Sequence, residues 1–319
     1  IVVAAQILIS NGFGASVGLE AGYTQAAAGL ASRIGIAFNL RRGDLRVLVG
    51  AGAAAAIASA FGAPLTGAFY AFELIIGTYA VASFAPVLVA AIAGVLVSRA
   101  FGAVPYSISV GALTTVKSSD LPALLVLALC CALVGIVVMR GVTLTELAFR
   151  RSRVPLLLHP VIGGLALGGV AIVTPHILSS GHEEMRIGLR SMEAEIWPLA
   201  TLLVLKALAS AISLGAGFRG GLFFASLLLG AVAGRLFAAV VALVSVSAAP
   251  DPLVSAIIGM SATAVAIVGG PLTMSFPALE TTGNVSLTLG VLAAAALSAM
   301  VARTQFGYSF ATWRLHLRG

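Results

Sequence analysis

Apolar runs that approach or exceed the length needed to cross a lipid bilayer recur along the whole chain. A transmembrane helix needs about 20 predominantly apolar residues. Charged residues make up only 9% of the 319 residues, whereas soluble domains carry about a quarter. The sequence therefore predicts an all-α polytopic membrane protein. The apolar runs lie at 47–60, 80–98, 121–139, 156–178, 196–214, 221–246, 253–268 and 285–302.

The few charges indicate how the chain lies in the membrane. Eighteen Lys and Arg against 11 Asp and Glu give a net charge of +7. Basic clusters at 41–46 and 150–153 mark two loops as cytoplasmic. Attraction of anions to a pore is an alternative role for the excess positive charge. We expect a multi-pass protein of the cell (inner or plasma) membrane, surrounded by lipid bilayer and without a nucleic-acid partner.

The chain contains a diverged internal repeat. GAPLTGAFYAFE at 62–73 matches GGPLTMSFPALE at 269–280, with Pro-Leu-Thr and a closing Glu in register. The glycine-rich segments at 10–22 and 213–225 match at nearly the same separation. Helices broken at equivalent positions of two halves indicate a transporter or channel with its site between the halves. We expect one repeat over residues 1–150 and the second over 151–319, as two halves of one transmembrane domain.

One carboxylate, Glu20, lies inside the glycine-rich stretch at 14–33. An ionisable group within a membrane is expensive to bury and is by default functional. Two glycine hinges that each open a helix near the midplane would present unpaired N–H groups and positive dipole ends to an anion. Close helix packing is the alternative for the glycines. A position in an interfacial loop is the alternative for Glu20.

These residues resemble motifs of the CLC family of chloride channels and chloride/proton antiporters. GLEAG at 18–22 resembles the GREGP-like motif whose Glu is the external gate, and GGLFFA at 220–225 resembles the GGIFAP-like motif. GAPLTG at 62–67 and GPLT at 270–273 resemble the NAPLAG-like segments. Tyr308 matches the anion-coordinating tyrosine of the family. The resemblance spans essentially the whole chain.

The resemblance implies a fold of two inverted-topology repeats whose broken helices meet at the bilayer midplane. It implies a chloride (anion) transporter and no enzymatic activity, with Glu20 as the gate. It also implies a homodimer with one pore per subunit; we expect no cofactor and no metal ion. The implied anion-binding residues are Gly18, Leu19, Glu20, Ala21, Leu222, Phe223 and Tyr308.

The sequence also departs from the family. A GSGIP-like loop that supplies a serine to the anion site is absent, so we expect the first repeat to be truncated, and no regulatory domain is expected after Gly319. Leu74 occupies the position of the internal glutamate that carries protons in antiporters. A leucine cannot hold a proton, so transport is predicted to be channel-like or weakly proton-coupled. An antiporter selective for another anion, fluoride or nitrate, is the alternative.

Other polar residues have two readings each. Glu73 and Glu280 end the equivalent short helices, where bonds to backbone amides or a transport role are the alternatives. Lys206 lies within an apolar run, facing an aqueous vestibule or extending to the interface. A distant alternative for the whole chain is an intramembrane serine protease, because G-x-S-x-G places Ser16 as nucleophile with His159 or His176 as base.

Overall fold

A computed structural model of the protein describes residues 2–105, 120–182, 195–246 and 249–306. These residues form α-helices joined by short turns, and the described part contains no strand beyond one isolated two-residue bridge. The predicted all-α fold is confirmed. The helices are α1 (Val2–Gly12), α2 (Glu20–Ala37), α3 (Arg42–Phe61), α4 (Pro64–Tyr70, continued by a π-helical turn Ala71–Ile76), α5 (Val81–Ala100), α6 (Leu121–Arg151), α7 (His159–Ala171), α8 (Ile196–Gly215), α9 (Phe223–Val244), α10 (Pro252–Val268), α11 (Pro271–Thr282) and α12 (Val285–Phe306).

Six of the described helices are long and apolar enough to cross a membrane. They include α6, which at 31 residues is much longer than the apolar run that predicts it. The remaining apolar helices, such as α10 with 17 residues, are shorter. The multi-pass prediction is confirmed. The six helices are α3, α5, α6, α8, α9 and α12.

The apolar run at 156–178 is not a single membrane-spanning helix. It is divided into a 3₁₀ turn at Leu156–Leu158, helix α7 and a second 3₁₀ turn at Pro175–Ile177. Thr174 adopts an extended conformation with φ −154° and ψ 121°. The ring of the following proline disfavours helical geometry at the preceding residue, so the helix cannot continue into the second turn.

Helices α9 and α10 pack backbone against backbone. A Cβ atom added at Gly230 would overlap the carbonyl oxygen of Gly259, and one added at Gly234 would overlap that of Ser255. Small residues at an interface allow this approach between membrane helices. The contact holds α9 deep in the protein, with the first half of the helix buried on nearly every side.

Glu280, near the end of α11, binds the start of α4. Its carboxylate accepts hydrogen bonds from Leu65 N (2.7 Å), Thr66 N (2.8 Å) and Thr66 Oγ1 (2.6 Å). These amides belong to the first turn of α4, which has no intrahelical acceptors for them. An acid at this position also interacts favourably with the helix dipole.

Glu73, in the π-helical turn after α4, makes the reciprocal contact with α11. Its carboxylate accepts hydrogen bonds from Leu272 N (3.1 Å), Thr273 N (2.8 Å) and Thr273 Oγ1 (2.6 Å). The bonds to backbone amides expected for both glutamates are confirmed. Each short helix therefore carries, in or just after its last turn, the glutamate that caps the start of the other helix. These hydrogen bonds hold α4 and α11 together.

We expect Glu280→Gln to lower the free energy of unfolding by roughly 1.5–3 kcal/mol, the range for hydrogen bonds to a charged group. The amide keeps the size of the side chain but loses the charge and one acceptor oxygen. Denaturant unfolding in detergent measures the effect. Asp44→Asn is the matched control, because Asp44 is exposed in the first turn of α3. Equal stabilities of the two variants would contradict the capping role.

Candidate functional site

The two glycine-rich hinges are in direct contact. Gly18 N donates to Gly221 O at 2.7 Å, and Gly221 N donates to Gly18 O at 3.2 Å. A Cβ atom at the neighbouring Gly220 would overlap the side chain of Val17. The absence of a side chain therefore permits the approach at this point. Segments separated by about 200 positions in the chain form one small site.

Two helices begin at this contact. α2 begins at Glu20 after Leu19 (φ −82°, ψ −13°), and α9 begins at Phe223 after Leu222 (φ −106°, ψ 8°). Neither N-cap residue bonds its helix with a side chain. The first N–H groups of a helix have no intrahelical acceptor, and they carry the positive end of the dipole. Two helix N-termini, with their unpaired backbone donors, therefore converge at this contact.

The carboxylate of Glu20 lies at the start of α9. The residue is only 2% exposed, and its Oε1 accepts a hydrogen bond from Phe224 N at 3.1 Å. Oε2 is buried and finds no hydrogen-bond donor among the described residues. It lies so close to Gly18 that a Cβ atom there would overlap it. A carboxyl group thus already occupies a first-turn amide of the opposing helix.

The other predicted site residues divide into three groups. Ala21 follows Glu20 in the first turn of α2, while Leu222 and Phe223 are buried at the start of α9. Leu74 is partly buried in the π-helical turn after α4, beside the capping residue Glu73, and is not part of the glycine contact. Tyr308 lies outside the described residues.

The sequence prediction missed two residues with hydroxyl groups beside the site, Thr24 and Tyr70. Thr24 Oγ1 donates to Glu20 O at 2.5 Å. The Tyr70 ring packs beside Phe223, with ring centroids 6.2 Å apart. Thr24 was visible as the residue one helical turn after Glu20. Tyr70 arrives from α4, so only the tertiary structure reveals it.

Lys206, in α8, binds the turn at residues 177–179, which contacts the glycine-rich segment at Gly14. Its side chain is 1% exposed, and Nζ donates to Ile177 O (2.9 Å), Leu178 O (3.4 Å) and Ser179 O (2.8 Å). Ser179 N in turn donates to Gly14 O at 3.2 Å. The expectation that Lys206 faces a vestibule or extends to the interface is wrong. Carbonyl groups freed by the helix break at Pro175 satisfy the buried ammonium instead.

The geometry gives no support to the serine-protease alternative. Ser16 is fully buried, and its Oγ contacts Ser210 Oγ at 3.2 Å. The ring of His159 contacts Val154 O at 3.0 Å. The described residues also contain no cluster of three or more His, Cys, Asp or Glu side chains that could hold a metal ion.

Residues 1–303 match the family model described as Voltage gated chloride channel. The putative chloride channel protein ClcB-like of Ralstonia nicotianae is 31% identical over 239 residues, which cover 73% of this chain and 55% of the relative. The chloride/fluoride channel protein of Pseudomonas syringae pv. tomato is 31% identical over 235 residues, covering 71% of this chain and 51% of the relative. The chain spans about half the length of these curated relatives.

A solved structure of a slow cyanobacterial Cl⁻/H⁺ antiporter superimposes with a TM-score of 0.85 at 23% identity. The match covers 99% of this chain and 75% of that one. At this level of identity the likeness shows the fold, and it confirms the predicted CLC-like architecture. Because the family model matches nearly the full length of this chain, the chain belongs to the voltage gated chloride channel family, the CLC family.

Proposed function

We propose that the protein transports chloride, or a closely related small anion, across the membrane, and that Glu20 is the gate. One observation carries the proposal. The carboxylate of Glu20 binds Phe224 N, at the point where the bridge between Gly18 and Gly221 brings the starts of α2 and α9 together. A carboxylate held on helix N-terminal amides occupies the kind of position that suits a dehydrated anion.

The chemistry of this site fits transport better than tight storage. An anion that leaves water needs donors that replace its hydration shell, and conduction requires that it can leave again. Backbone amides of Leu19, Ala21, Leu222 and Phe223, with the hydroxyl of Tyr308, would supply donors without a full positive charge.

Glu20 acts in this proposal as a tethered competitor for the anion. The ionised carboxylate forms a charge-assisted hydrogen bond with Phe224 N, and protonation weakens it. The neutral side chain then leaves the amide, and the anion takes its place. Flux through such a site rises as the pH falls, because a lower pH increases the protonated fraction of Glu20.

The proposal also states whether anion transport is coupled to protons. Leu74 cannot carry a proton, which favours channel-like or weakly coupled transport. Exchange of the anion for protons is the alternative, with fluoride or nitrate as the other candidate anions. Fluoride has one specific point in its favour, since the name of the Pseudomonas relative includes chloride and fluoride.

The reversal potential of the protein in liposomes tests both the anion transport and its coupling to protons. Under combined chloride and proton gradients, a channel reverses at the chloride equilibrium potential whatever the proton gradient is. We expect this result, whereas an antiporter shifts its reversal potential with pH. Anion flux no greater than in protein-free liposomes would overturn the proposed function.

We also propose a homodimer in the cell (inner or plasma) membrane. The outward side of α5 carries the exposed side chains of Val89, Ile92 and Leu96, a surface that requires lipid or a partner. Light scattering of the detergent-solubilised protein measures its mass. A monomeric mass would contradict the dimer.

A further inference from the structure

Lys206 holds the turn at residues 177–179 against helix α8. The side chain is 1% exposed, and its Nζ donates to the carbonyl oxygens of Ile177 (2.9 Å) and Ser179 (2.8 Å). Burial of an ammonium group is costly unless the group is hydrogen-bonded, so the buried lysine requires these acceptors. The turn is therefore fixed relative to α8.

Ser179 is held in a backbone conformation that is unfavourable by itself. Its φ is +54°, in the left-handed region that favours glycine. Such a conformation persists only where the surrounding contacts determine it. The carbonyl oxygen of Ser179 accepts from Lys206. Its N–H donates to Gly14 O at 3.2 Å, and its hydroxyl donates to Asn11 O at 3.1 Å. Loss of the lysine bond is therefore expected to release Ser179 from both partners.

Asn11 connects this turn to the contact between the two glycine hinges. Its Nδ2 donates to Val17 O at 2.6 Å, and the N–H of the same peptide group, Gly18 N, donates to Gly221 O at 2.7 Å. A peptide group is planar, so hydrogen bonds to its oxygen and from its nitrogen together fix its orientation. Glu20 follows two residues later, so the placement of its carboxylate depends on this peptide group.

The first hinge has a second attachment to α8. Ser16 N donates to Ser213 Oγ at 3.0 Å, and the hydroxyl oxygens of Ser16 and Ser210 lie 3.2 Å apart. These bonds do not involve Lys206. Loss of the Lys206 bonds is therefore expected to shift the hinge rather than to detach it from α8.

We propose that Lys206 is a positioning residue of the gate, which acts through Ser179 and Asn11 to hold Glu20 at the start of α9. The inference rests on the proposed function, in which the Glu20 carboxylate competes with the anion. The hydrogen bond from Phe224 N to Glu20 Oε1 is 3.1 Å long, near the upper end of the range for such bonds. A small displacement of the hinge therefore weakens the binding of the carboxylate and favours the anion.

Lys206→Met removes the ammonium group and keeps an unbranched side chain of similar length. We expect the ratio of chloride flux at acidic pH to chloride flux at neutral pH, measured in liposomes, to fall by about three- to tenfold. This is the effect of one lost hydrogen bond, and it arises because flux at neutral pH rises. A purely structural role would lower the amount of active protein, which scales flux equally at every pH and leaves the ratio unchanged.

Arg99→Met is the matched control. It removes one positive charge from an exposed position in the last turn of α5. Its flux ratio is expected to stay within about twofold of wild type. A fall in the ratio equal to that of Lys206→Met would contradict the positioning role, because any lost positive charge would then have the same effect.

Other titratable side chains near the start of α9 are the same in every variant. Tyr23 and Tyr70 pack against the cluster that contains Phe224, and the ring of His182 lies on that of Phe224 with centroids 3.6 Å apart. Because these side chains are retained, none of them accounts for a changed ratio. The charge of Lys206 itself is separated from its hydrogen bonds by a second variant.

Asn11→Leu is that second variant, and it also covers the case in which Lys206→Met does not fold. Leucine has the branching of asparagine but donates no hydrogen bond to Val17 O, while the charge of Lys206 stays in place. The acid-to-neutral flux ratio is expected to fall by about three- to tenfold here too. An unchanged ratio in Asn11→Leu would overturn the inference whatever Lys206→Met shows, since Lys206 would then act by its charge or on folding alone.

Glu20→Gln separates the inference from the proposed function. If Glu20→Gln loses the pH dependence of flux while Asn11→Leu keeps the wild-type ratio, the gate stands and the positioning role fails. If Glu20→Gln follows the wild-type profile, the gating role fails and the inference fails with it. A wild-type protein that moves no anion would overturn both.

Discussion

Glu20→Gln is expected to abolish the pH dependence of anion flux and to raise flux at neutral pH. Glutamine has the shape of the protonated acid and cannot ionise. In the wild type the ionised carboxylate competes for Phe224 N, whereas the amide of the variant binds there only as a neutral group. The variant is therefore expected to show, at every pH, the flux that the wild type reaches only in acid.

The size of the effect follows from the titration of a single group. Above its midpoint, the protonated fraction of one acid changes about tenfold per pH unit, so wild-type flux should rise by up to that factor per unit as the pH falls. Chloride efflux from liposomes, measured from acidic to alkaline pH, gives both profiles. Glu195→Gln is the control, because it makes the same chemical change at an exposed position before α8. A Glu20→Gln profile that follows the wild type would remove Glu20 from the gating role.

The features that the sequence predicted correctly are those that depend on local composition or on the internal repeat. Apolar runs indicated most of the long helices because hydrocarbon solvent leaves the backbone no alternative to helical hydrogen bonds. The match between 62–73 and 269–280 identified Glu73 and Glu280 as equivalent residues. Their reciprocal bonds are the consequence of that equivalence.

The features that the sequence did not reveal depend on which residues meet in space. From the sequence, Lys206 was expected to extend its charge from the membrane to water. Its ammonium group instead donates hydrogen bonds to carbonyl groups of the turn after Thr174. Tyr70 gave no signal, because nothing in α4 indicates that the ring of its last residue packs beside Phe223. The break at 174–175 was readable in principle from Pro175, but the hydrophobicity of 156–178 concealed it.

Gly18→Ala is expected to open the site without removing the acid. The three atoms nearest to an added Cβ at Gly18 all belong to the Glu20 carboxyl group, with Cδ at 2.6 Å and Oε2 closer still. Gly18 is not among the glycines with positive φ, so alanine is compatible with the backbone. The overlap involves only the far end of a flexible side chain. The carboxylate, rather than the helix, is therefore expected to move.

Displacement of the carboxylate makes Gly18→Ala resemble Glu20→Ala in function. Flux at neutral pH is expected to rise about tenfold, equivalent to about 1.4 kcal/mol of lost competition for the Phe224 amide. Once Glu20 has been replaced by alanine, Gly18→Ala should add nothing, and a double-mutant cycle of chloride flux measures this coupling.

Gly22→Ala is the control for this cycle. Gly22 lies in α2, two residues after Glu20, and the three atoms nearest to its added Cβ all belong to Ile7, the closest at 3.4 Å. If Gly18→Ala and Gly22→Ala gave the same flux, the contact between Gly18 and the carboxylate would have no part in gating. If the effects of Gly18→Ala and Glu20→Ala were additive, the methyl group would act on the anion path by a route other than Glu20. The non-additive result alone fits a carboxylate that rests against Gly18 and closes the site.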